Sequence, residues 1–100
     1  MDLPRNSPQE FAKQRRLYLK ESMPLVYAAM QKDGSLHKHL SSTGQQAASQ
    51  HELLVQQGMV DPELQSLPHH KKVQRLQSLP EQARASVMHD VIQQDPTAEQ

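Results

Sequence analysis

One hundred residues allow one small domain, near the lower size at which a chain buries a core without covalent staples. Eleven basic and eleven acidic side chains cancel, which removes any global pull toward nucleic acid or an anionic membrane surface. The lack of cysteine excludes disulfides, thiolate chemistry and cysteine-based zinc sites.

The first helix announces itself at Ser7-Pro8-Gln9-Glu10, a capping box with proline at the first helical position. It is expected to run from Pro8 to Glu21, with Phe11, Ala12, Tyr18 and Leu19 on one side and Lys13, Arg16 and Lys20 on the other. Arg15 falls inside the apolar sector. It must either snorkel along its neighbours or enter a buried ion pair. Pro24 restarts the chain, because the residue before a proline is pushed out of helical geometry. The segment from Leu25 to Lys32 is short and apolar nearly all round, the pattern of a central helix covered by its neighbours. Asp33-Gly34 ends it, with Gly34 free to take the left-handed conformation.

Ser35 is placed to cap a third, long helix over about 35–57, roughly 35 Å at the usual rise per residue. Its seam reads Leu36, Leu40, Thr43, Ala47, His51 and Leu54, apolar at the ends and small or polar between. Small residues let another helix approach closely, so this seam is expected to meet a second copy of the chain. Gly44 weakens the helix by about 1 kcal/mol relative to alanine, and Gly58 with Met59 suggests its C-terminal cap. Asp61-Pro62 opens a short helical turn. The run Leu64-Gln65-Ser66-Leu67-Pro68 recurs twelve residues later as Leu76-Gln77-Ser78-Leu79-Pro80, too few copies for a solenoid. Ser78 with Glu81 forms a second capping-box pattern. Val73, Leu76, Ala83, Val87 and Val91 trace one stripe. The pattern therefore predicts two nearly collinear helices over 70–78 and 79–93, or one helix kinked at Pro80.

No alternating β-branched run competes, so the expected fold is all-α: a compact bundle of four to five helices without a sheet. The expected domain is 7–93, with flexible ends at 1–6 and 94–100. Hydrophobic residues make up 35% and aromatic ones 3%, against fifteen glutamines, so the core is thin and the stability modest. No signal-peptide pattern follows Met1 and no apolar run nears about 18 residues, which predicts a soluble cytoplasmic protein.

Chemistry is sparse. Helical metal ligands need spacings of three or four, whereas His37 and His39 are two apart, His69 and His70 adjacent, and His51 and His89 isolated. No glycine-rich phosphate loop or nucleophile motif is present. Neither a catalytic residue, a cofactor nor a metal is expected. Two basic clusters remain: Lys13, Arg15, Arg16 and Lys20, then His69, His70, Lys71, Lys72 and Arg75. On a shared face they could track a phosphate backbone; a neutral chain favours two solvated helix faces instead.

Arg15-Arg16-x-Tyr18-Leu19-Lys20-Glu21, then Pro24, Tyr27 and Gly34-x-Leu36-x-x-His39-Leu40, resembles the TnpV family of small transposon-encoded proteins. The resemblance spans about 13–92 and weakens through Glu52-Leu53-Leu54, Arg75, Ala83, Val87 and Val91. It departs at Lys72, where the family pattern has tryptophan, and at Pro80. It implies a mobile-element origin and a non-enzymatic accessory role beside a recombinase. The expected function is a helical interaction or regulatory module that forms a homodimer through Leu36, Leu40, Thr43, Ala47 and Leu54, or binds a recombination protein. The alternative is an excisionase-like DNA binder using Lys13, Arg16, Lys20, Lys71, Lys72 and Arg75.

Overall fold

A computed structural model describes residues 4–94. They form five α-helices and no strand: α1 (Pro8–Ser22), α2 (Pro24–Asp33), α3 (Leu36–Met59), α4 (Pro62–Gln65) and α5 (His69–Val87), followed by a π-helical turn, Met88–Ile92. The all-α expectation holds. The molecule measures 54 × 36 × 19 Å, so its thin dimension accommodates only about two helices of ordinary diameter. Few positions can be enclosed in such a slab.

Local signals set most boundaries. Ser7 Oγ accepts the Glu10 N–H at 3.1 Å, and Asp61 Oδ1 accepts that of Glu63 at 3.0 Å. Gly34 turns α2 off with φ of 82°. The Ser35 hydroxyl makes no cap bond; its N–H is instead taken by Asp33 Oδ1 at 2.8 Å. The second expected capping box does not form. Pro80 lies inside a single α5, Ser78 Oγ donates to the Arg75 carbonyl, and Glu81 pairs with Arg5. Packing explains why the helix continues: Leu79 presses on Gly58, while Ala83 and Val87 are buried further along. Gly58 accordingly stands within the last turn of α3 rather than after it, and the space its missing Cβ leaves is taken by Leu79.

The long α3 is the spine. α1 lies against its first half, and α5 with the π-helical turn lies along it as well. Phe11, Ala47, Val87 and Ile92 form the main buried cluster, with Leu54, Met88 and Val91 packed around it. Each fully enclosed side chain of Phe, Leu, Val or Ile size contributes about 1.5–3 kcal/mol. His51, expected on the seam, is half-buried beside the Phe11 ring and contacts the Pro80 carbonyl at 2.9 Å.

The expectation for α2 fails. It is peripheral: Tyr27 is its one buried residue, while Leu25 is 85% exposed. The cause is the close approach of α1 to α3, which leaves no central slot for a third helix. At Gly44 an added Cβ would run into the Pro8 carbonyl and lie 3.1 Å from Ala12 Cβ. Helix propensity alone gives Gly44→Ala a gain of about 1 kcal/mol. The contact predicts the opposite, a net loss of about 1–3 kcal/mol in urea unfolding. A stabilised Gly44→Ala would mean that α1 stands further off.

Arg15 does not snorkel to the surface. It is 3% exposed, and its Nη1 donates to the Ile92 carbonyl at 2.8 Å and to that of Gln94. Of the ends expected to be flexible, 1–3 and 95–100 lie outside the described residues. Arg5 reaches Glu81 at 2.8 Å, and Asn6, with φ of 67°, offers Oδ1 to Arg84 at 3.0 Å.

Candidate functional site

The stripe expected to meet a second copy is used within the chain. Ala47 belongs to the cluster with Phe11, Val87 and Ile92, and Thr43 is buried beside Arg15. Leu36, Leu40 and Leu54 remain half-covered. The small residues do admit a close helix, and that helix is α1.

Where α1 and α3 meet, their outer edges leave an open groove of about 350 Å³. Its apolar wall is Pro8, Ala12 and Leu40, and its rim carries Lys13, Arg16 and His37. Among the described residues no carboxylate lines it. The groove exists because Gly44 draws the helix axes together at one level, while Leu40 and Ser41, a turn earlier in α3, face the solvent side of the junction. Arg16 is held from behind. Its Nε donates to the Tyr27 hydroxyl at 3.3 Å, which also accepts from Gln31 Nε2 at 3.3 Å. Buried Tyr27 thus fixes a cation at the end of the groove, a role that nothing in the spacing of the sequence reveals.

Lys20 is exposed one turn beyond Arg16. The second basic cluster does not join the first. Lys71 and Arg75 line a separate hollow with Leu67, Gln74 and Ser78, and Lys72 Nζ donates to Gln65 at 2.8 Å. The groove itself went unread in the sequence, apart from Lys13 and Arg16. Its signals, Leu40 beside Gly44 and Ala12 beside Pro8, acquire meaning only once the two helices are paired.

α2 supplies a different surface. Leu25, Ala28 and Ala29 stand at one-face helical spacing and are all exposed. Further large apolar side chains stand in solvent at the end of α3, with Met59 51% and Val60 74% exposed.

His39 is half-buried against Arg15. Burial pushes its pKa below the ordinary value, and the Arg15 charge adds to the shift. Its Nε2 accepts from Arg15 Nε at 3.2 Å. Among the described residues no group of three or more His, Asp or Glu side chains is placed to hold a metal ion. Nor is any described helix long and apolar enough to cross a membrane.

These features define a small all-helical protein whose distinctive surfaces are apolar and helix-borne. The chain belongs to the family described as transposon-encoded protein TnpV, whose model matches residues 3–92. It is therefore an accessory protein of a mobile element. No curated protein and no solved structure matches it.

Proposed function

We propose that this protein is a non-enzymatic helical interaction module of its mobile element, working in the cytoplasm by association with a second copy of itself or with a recombination protein. The observation that carries the reading is the outward apolar stripe of α2. A chain with few large apolar residues leaves Leu25 85% exposed, beside Ala28 and Ala29 on the same face. Contiguous apolar surface on a water-facing helix is the usual mark of a protein contact. The thin slab supports the same reading, since a second protein would cover what the fold cannot.

Leu25→Glu tests it. The side chain already faces solvent, so the melting temperature should stay within about 2–3 °C of the parent, the change expected for a surface position. Association, followed by light scattering at micromolar concentration, should be lost. An unchanged particle mass would remove α2 as the contact.

DNA binding is the second reading, favoured by the exposure of Lys13, Arg16 and Lys20 on one helix face. It requires affinity for transposon-end DNA that falls steeply with salt and disappears when Arg16, Lys20, Lys71 and Lys72 are neutralised.

A further inference from the structure

The α1/α3 groove has a chemistry of its own. An apolar wall of Pro8, Ala12 and Leu40 is flanked by Lys13 and Arg16, with no carboxylate among the described residues that line it. The protein as a whole carries equal numbers of acids and bases, so a rim of one sign is a local excess rather than a reflection of composition. The nearest carboxylate on the first turn of α1, Glu10, is turned away and neutralised by Arg84. Arg16 is moreover pinned by Tyr27 on one side, which lowers the entropy lost when its remaining donors engage an anion.

We propose that this groove docks an acidic amphipathic helix of a partner protein, whose apolar side chains lie on Ala12 and Leu40 while its carboxylates meet Lys13 and Arg16. The groove is open along its length and lies between two helices, the shape that receives a helix rather than one that encloses a small molecule. Charge complementarity selects the partner's sign: a basic helix would set like charges against Lys13 and Arg16. A nucleic-acid backbone would satisfy the cations but leave the apolar wall in water. The inference rests on the interaction-module reading and adds the surface and the chemistry of the partner.

The probe is a synthetic peptide of about 18 residues, long enough to form a helix, with leucine on one face and glutamate on the other. A second peptide replaces every glutamate by lysine. Titrated into the full ¹⁵N-labelled chain, the acidic peptide should shift the amides of Ala12, Leu40, Ser41 and Gln45, and the lysine peptide should not. Lys13→Glu combined with Arg16→Glu should weaken binding by about tenfold or more. Ser41→Trp, which fills the groove from an exposed position, should do the same without touching a charge. Both variants alter exposed side chains, and a retained amide spectrum will verify their folding.

Equal binding of the two peptides, shifts that avoid the groove, or indifference to both variants would overturn the proposal. So would groove shifts that follow protein concentration alone, which would assign the groove to a second copy, or groove shifts with random duplex DNA. If the acidic peptide fails while Leu25→Glu still abolishes association, the groove assignment falls and the module reading stands. If association is also indifferent to Leu25→Glu, α2 is removed as the contact as well, and if the chain associates with neither itself nor the recombinase, both readings fall.

Discussion

Arg84→Met should destabilise the folded protein by about 3–5 kcal/mol, the cost of leaving a buried charge without its partner. Glu10 is 8% exposed, and its carboxylate pairs with the Arg84 guanidinium. Arg84 Nη1 also donates to Asn6 Oδ1, and its guanidinium lies 5.3 Å from the centre of the Phe11 ring, so it ties the N-terminal entry of α1 to α5. Methionine keeps the apolar reach of the side chain and removes the charge. A domain of this size loses about 4–8 °C of melting temperature per kcal/mol, so a fall of more than about 12 °C is expected. Glu10→Gln in the same chain should restore much of the loss, because an amide carries no charge to strand. The double variant therefore discriminates: strictly additive losses would show that Glu10 and Arg84 do not act as a pair.

Arg15→Met should cost about 2–3 kcal/mol and act at one end of the molecule. The guanidinium is enclosed, with Nη1 donating to the carbonyls of Ile92 and Gln94, Nε to His39, and the Tyr18 ring 5.6 Å away. The carbonyls at a helix end lack partners in their own helix, so Arg15 acts as a cap supplied from the other end of the sequence. Amide exchange should accelerate over Met88–Ile92 while the middle of α3 stays protected.

Stability should also depend on pH through His39. Because its pKa is lowered in the folded state, chiefly by burial and then by Arg15, the unfolded chain binds the proton more readily. The contribution is therefore intact above about pH 6.5, the ordinary histidine value, and is lost as pH falls from there toward the lowered one. Arg15→Met removes the smaller cause and should flatten this slope. Global loss of exchange protection, or an unchanged slope, would argue against the cap.

What the sequence made legible was local. Ser7 with Glu10, Asp61 with Pro62, and Gly34 each declare a helix end through partners two to four residues away, and each end is where the spacing puts it. The run Arg15 to Leu40 likewise pointed to the family that the chain belongs to. What was not legible depends on which helices pair. Gly44 and Gly58 read as a weak point and a cap, yet both are places where a neighbour, Pro8 or Leu79, comes too close for a Cβ. The apolar composition of α2 reads as central, but a tight α1/α3 contact leaves it outside. Arg15 and Ile92 are 77 positions apart, and no spacing rule joins them. The groove inherits the same limit, because its two walls come from helices whose closeness Gly44 decides.

Sedimentation velocity of the full chain tests the central claim most directly, run alone across about 1–100 µM, with the recombinase of the same element, and with a transposon-end duplex at physiological salt. The range brackets the micromolar affinities of ordinary protein contacts. An interaction module predicts a faster boundary in the first or second mixture, abolished by Leu25→Glu, and an unshifted duplex in the third. A strict monomer that ignores the recombinase and carries the duplex with it would contradict the account and make the chain a DNA-binding protein instead.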